Sequence, residues 1–246
     1  MMRPPGSASS QESTNDPEAG VTLIELMIAI TLVAAISTGM LMAMRTSLIT
    51  LEKVDGRLQS NRRVMGMEQM LNRQIGGVMP VLGGCPNSAG GLVPTPAFNG
   101  TAQTLHLVSS YSLAEGARGY PHVLEFQVIP AEGGGLRLIV NEYLYSGPSS
   151  LAPFCINGIF LPAQAKPDSF VMADRLAYCR FVYRQRIPDA PRAGGWVPIW
   201  DQRNLPAAVR IEMEPLVPNP AQLPLVNVTV PIHITREIDS PYTDTI

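Results

Sequence analysis

One residue stands out for its chemistry. Glu25 is the single charged side chain in the 24 residues from Val21 to Met44, a stretch otherwise almost wholly apolar. A bilayer core needs roughly 20 helical residues, so this run is long enough to cross one. A charged group inside hydrocarbon costs several kcal/mol and is tolerated mainly where it finds a partner. In the first turn of a helix a carboxylate is favoured by the macrodipole, and a buried one demands a nearby cation. The chemistry this suggests is charge neutralisation, with the cation coming from elsewhere.

The other reactive residue types are sparse. The three histidines, His106, His122 and His233, fall in strand-like stretches far apart in sequence, and no H-x-x-E-H or C-x-x-C spacing offers a metal site. Neither a G-x-S-x-G elbow nor a phosphate loop occurs, and Gly133-Gly134-Gly135 is followed by no helical pattern, so it reads as a hairpin turn. Nothing proposes catalysis, a cofactor or a metal. Of the three cysteines, Cys85 and Cys155 sit in Gly/Pro-rich loops, whereas Cys179 lies on the apolar side of a strand, where a thiol acts as a small hydrophobe. A Cys85–Cys155 bridge is the preferred pairing, and three buried or reduced thiols are the alternative.

These residues have to be positioned by a chain of 246 residues, with a net charge of −2 and a pI of about 5.9, so no global field argues for nucleic acid. The 23 prolines and 21 glycines point to many turns and short strands. Residues 1–19 show no apolar periodicity and read as a disordered leader. Beyond Met44, Leu48, Leu51, Val54, Leu58, Met65, Met70, Leu71, Ile75 and Val78 fall mostly at helical spacings, and no proline interrupts Val21 to Met79. One continuous helix is therefore predicted, ended by Gly76-Gly77 and Pro80, its second half burying a stripe.

Residues 80–103, with Gly83-Gly84-Cys85-Pro86 and further Gly and Pro, read as a loop. Strand signals follow at Thr104–Ser110, at His122–Ile129 and Leu136–Tyr145 as a hairpin, and at Ala177–Arg186, Ala208–Glu214 and Leu225–Thr235. Pro231 marks the last as an edge strand or a bulge. Arg180, Arg184 and Arg186 share one face, either solvated or meeting an acidic partner. Strands without intervening helices give an α+β class: one long N-terminal helix packed on antiparallel sheets.

The run Gly20-Val-Thr-Leu-Ile-Glu25-Leu resembles the processing signature of type IV prepilins and pseudopilins. The resemblance implies a pilin-like fold and cleavage by a membrane prepilin peptidase between Gly20 and Val21, followed by N-methylation of Val21. It implies that Glu25 pairs with a terminal amine as subunits assemble. The first mature residue is usually phenylalanine in that family, and here it is Val21.

Two further stretches, Arg63-Val-Met-Gly-Met-Glu-Gln-Met-Leu-Asn-Arg73-Gln-Ile and Trp200-Asp-Gln-Arg-Asn-Leu-Pro206-Ala-Ala-Val-Arg210-Ile-Glu, are similar to the J-type minor pseudopilin of the type II secretion system. That resemblance implies a structural role in a tip complex with the I and K minor pseudopilins and with the major pseudopilin. Gly83-Gly84-Cys85 is also similar to a W-type minor pilin of a type IV pilus, which is the rival reading. A signal-anchored periplasmic binding domain acting alone is the third.

The organisation expected on this basis is a leader over 1–20, a membrane or filament-core helix over 21–44, an amphipathic periplasmic half over 45–79, and a β-rich periplasmic domain over 80–246. The expected location is the inner membrane, single-pass, with a cytoplasmic N-terminus. Charge opposes that orientation, since Arg3 alone precedes the span while Arg45, Lys53 and Arg57 follow it. The orientation rests on the processing signature.

Overall fold

The computed structural model describes residues 20–186, 194–217 and 227–234. The leader and both ends of the expected last strand lie outside them. The chain divides into two compact units, the first ending at Asp55 and the second beginning at Gly56. Helix α1 (Leu23–Gly76) belongs to both.

In the second unit, α1 buries Met67, Leu71, Gln74 and Ile75, spaced so that they share one face. The expected stripe is shorter than its periodicity implied: Leu58, Met65 and Met70 stay exposed. The helix ends at Gly76 rather than Met79. Its terminal carbonyls are taken by the sheet, the Ser109 hydroxyl donating to the Gln74 carbonyl at 2.8 Å and the Ser110 amide to that of Gly77 at 2.9 Å.

The strands are β1 (Leu82–Pro86), β2 (Leu92–Pro96), β3 (Asn99–Gly100), β4 (Thr104–Tyr111), β5 (Arg118–Pro130), β6 (Leu136–Leu144), β7 (Cys155–Ile156), β8 (Ile159–Phe160), β9 (Phe170–Arg184), β10 (Trp196–Val197), β11 (Ala208–Pro215) and β12 (Val228–Pro231). Among the described residues, the main sheet has eight strands in the order β12-β11-β9-β6-β5-β4-β3, with β10 also on β9, and every pairing is antiparallel. Gly133, Gly134 and Gly135 turn β5 into β6 with φ near +90°, a region open to glycine at little cost. Pro231 sits on the edge strand β12, where a missing amide breaks no ladder.

Alternation along β4–β6 divides the side chains between two faces. Leu105, Leu107, Leu124, Phe126, Leu138 and Val140 meet Met67, Leu71 and Ile75 of the helix in the main core. Cys179, Phe181, Tyr183, Val209, Ile211 and Met213 extend that core across β9 and β11. The opposite face carries Val108 and Val123, and a second, smaller core covers it.

The second core corrects the reading of 80–103 as a loop. β1 and β2 form a hairpin there, Gly83 pairing with Thr95 and Gly84 with Pro94. The glycines leave room for neighbours rather than for turns: a side chain on Gly83 would collide with Leu151. Leu151 comes from a 3-10 turn (Pro148–Phe154) that leads into β7. Hairpin and turn together cap the sheet face away from the helix.

Candidate processing and assembly segment

Gly20, Val21 and Thr22 precede the helix in non-helical backbone, and α1 opens at Leu23. Thr22 is the cap. Its hydroxyl accepts the Glu25 backbone amide at 3.3 Å, satisfying one of the amides that a helix start leaves free. Thr22-x-x-Glu25 is the spacing of a capping box. That spacing is a local sequence signal, and it identifies Thr22 as the residue that fixes the helix start two positions after Gly20.

Gly20 is exposed, with open space where a side chain would stand. Packing therefore gives no reason for glycine at this position. Val21 is 72% exposed. The bond between them lies outside regular structure and within reach of solvent.

From Leu23 onward the first unit presents an apolar helix, and the most apolar 18-residue window has a mean hydropathy of 2.2 with none of its residues buried. This helix is long and apolar enough to cross a membrane. Two of its hydroxyls are provided for internally: Thr31 donates to the Ile28 carbonyl at 2.9 Å and Thr38 to that of Ala34 at 2.8 Å. Such back-bonds let a hydroxyl sit in hydrocarbon without an unmet polar group. Glu25 has no such provision. Among the described residues its carboxylate faces no cation, although its place in the first turn suits the helix dipole.

The cysteines lie in the second unit. Cys85 and Cys155 form a disulfide with a Cα–Cα distance of 5.4 Å, and Cys179 is free and buried. Burial pushes the Cys179 thiol up to about 12, so it remains protonated and unreactive. The bridge sits at the centre of the second core with Ala97, Val108, Val123 and Leu151.

The structure does not bring the histidines together. His106 is 2% exposed on β4, its ring stacked on Phe160 at 4.8 Å between centroids. Its Nδ1 stands 3.6 Å from Glu125 Oε1, too far for a hydrogen bond, and is left without a partner. Burial lowers its pKa to about 4, so the ring is neutral near pH 7 and the contact with Glu125 is not an ion pair. His122 lies beside Glu142 at 3.6 Å, and His233 is exposed. Among the described residues no group of three or more His, Cys, Asp or Glu could hold a metal.

The arginine face is largely internally engaged. Arg180 donates to Glu212 at 2.6 Å, Arg184 lies over the Trp196 ring at 5.8 Å from its centroid, and Arg186 donates to the Ile232 carbonyl at 2.9 Å. The stretch beginning at Trp200 serves the core. Trp200 is 1% exposed, its indole nitrogen donates to the Asn204 carbonyl at 2.7 Å, and its backbone exchanges hydrogen bonds with Gly100. Gly100 has to be glycine, because a side chain there would enter the Tyr183 ring.

Residues 16–41 match the family described as the prokaryotic N-terminal methylation motif. The match takes in Gly20, Val21 and Glu25 and most of the apolar run that ends at Met44. The chain thus carries a type IV pilin-like signal. No curated protein matches the chain.

Proposed function

We propose that this chain is a structural minor pseudopilin of a type II secretion system. In this reading a prepilin peptidase cuts between Gly20 and Val21 and methylates the Val21 amine. The helix from Val21 to Met44 then holds the subunit in the inner membrane, with the N-terminus cytoplasmic and the β-rich domain periplasmic. One observation carries the reading. The methylation motif runs without a break into an exposed apolar helical run whose single carboxylate, Glu25, meets no cation among the described residues.

The mechanism follows from that carboxylate. In a filament core of low dielectric, the methylated amine of an adjacent subunit and Glu25 neutralise one another. Removing one partner strands the other, which costs more than the pair itself gains. The J-type assignment, with I and K minor pseudopilins and the major pseudopilin as partners, is supported by the two stretches at Arg63 and Trp200. Gly83-Gly84-Cys85 favours a second reading, a W-type minor pilin that primes a type IV pilus.

Glu25→Val is expected to leave membrane insertion and cleavage intact, since the helix becomes more apolar. Capture of partner subunits from detergent-solubilised membranes is expected to fall by about tenfold or more. Glu25→Gln, which keeps the size and loses the charge, should behave likewise. Partner recovery at the unmutated level by both variants would refute the assembly role. The identity of the co-purified partners separates secretion from pilus assembly.

A further inference from the structure

On the face of the sheet away from the helix, beside the 3-10 turn, lies an open cavity of about 470 Å³. Its lining includes Glu125, Tyr143, Pro153, Phe154, Leu161 and Lys166. Glu125 comes from β5 and is 3% exposed. Across the ladder it lies between His106 of β4 and Asn141 of β6. Neither neighbour supplies a positive charge. His106 is neutral near pH 7, and the Asn141 amide donates to Glu125 only at 3.5 Å, making its shorter bond, 3.0 Å, to the Gln164 carbonyl.

A buried carboxylate without a firm cation is costly to keep. The walls around it are apolar and aromatic: Tyr143 and Phe154 lie 4.7 Å apart between ring centroids. One cation is already present. The Lys166 ammonium sits over the Tyr143 ring at 4.4 Å from its centroid, so the ring face accepts this kind of charge. Lys166 itself is exposed, and its ammonium interacts with the Tyr143 hydroxyl, which in turn interacts with Glu125.

We propose that this cavity binds an alkylammonium group, the Glu125 carboxylate receiving the charge and the Tyr143 and Phe154 rings the alkyl shaft. Lys166 then acts as a tethered competitor that the ligand displaces. Burial penalises the charged form of Glu125, and an entering cation offsets that penalty. Two sources share this chemistry, a free small amine and the lysine side chain of another polypeptide. The site belongs to the globular unit and does not rest on the assembly role.

The test is an NMR titration of the full chain in a non-ionic detergent, following the ring signals of Tyr143 and Phe154. The probes are pentylamine, pentanol as the uncharged control, and the capped tripeptide Gly-Lys-Gly as the peptide arm. Pentylamine is expected to bind and pentanol not to. Glu125→Gln should weaken pentylamine by at least tenfold, and Lys166→Met should tighten it severalfold. Binding of the tripeptide as well assigns the site to a protein partner; binding of pentylamine alone assigns it to a free amine. Failure of pentylamine, equal binding of pentanol, or indifference to Glu125→Gln would overturn the proposal. Should Glu125→Gln not fold, the Lys166→Met arm decides, and no tightening there overturns it.

Discussion

Replacing Cys85 and Cys155 together by alanine is expected to destabilise the globular unit by about 4 kcal/mol. The bridge closes a loop with a sequence separation of 70, and opening a loop that long returns substantial conformational freedom to the unfolded chain. The sulfurs also fill the centre of the second core, where both cysteines are fully buried. For a domain of this size the loss corresponds to a fall in Tm of roughly 8–16 °C. Peptide mapping of the unfolded, unreduced chain should find Cys179 as the alkylatable thiol and Cys85 joined to Cys155. In the folded chain Cys179 should resist alkylation, being buried and protonated. Three alkylatable thiols, or Cys179 in a bridge, would contradict the arrangement.

Acid should weaken the fold through His106. Its pKa is lowered from 6.5 to about 4 because burial penalises the charged ring. A group depressed in the folded state contributes stability that is complete above its unfolded value. That contribution is lost as pH falls through the folded value. Between 6.5 and about 4 the unfolded chain takes up a proton at His106 that the folded chain refuses, which amounts to about 3 kcal/mol by pH 4. Glu125 acts in the opposite direction: burial raises its pKa, so protonation there favours the fold as pH falls. His106→Phe keeps a ring against Phe160 and removes the titration. Denaturant midpoints across this range should fall for the unmutated chain and stay flatter for His106→Phe. In Glu125→Gln the opposing contribution is gone, so its decline with acid should be steeper than that of the unmutated chain. Equal slopes in the unmutated chain and His106→Phe would contradict the reading.

What could be read from the sequence was what local pattern determines. Alternation and the glycine run specified the β5–β6 hairpin, and Pro231 marked an edge strand. The methylation motif and Glu25 were legible because both depend on adjacent residues. The second layer was not. Gly83-Gly84-Cys85-Pro86 has the composition of a loop, and becomes a strand because Leu151, far along the chain, packs where side chains would otherwise stand. His106 is missed for the same reason. It lies on the face of β4 opposite Leu105 and Leu107, where alternation implies solvent, and Phe160 covers it from a later segment. The length of the helix was legible, but the extent of its buried stripe was not, because periodicity shows which residues share a face and not what covers them.

The chain is expected to be processed at its N-terminus and to enter an assembly. The direct measurement is the intact mass of the full-length gene product extracted from membranes of cells that contain a prepilin peptidase, with fragmentation of its N-terminal peptide. The expected product begins at Val21 and carries one methyl group on the Val21 amine. A substitution of Gly20 by a bulkier residue should leave the precursor uncut while the fold persists, since no neighbour constrains that position. A chain that still begins at Met1 in those cells would contradict the account.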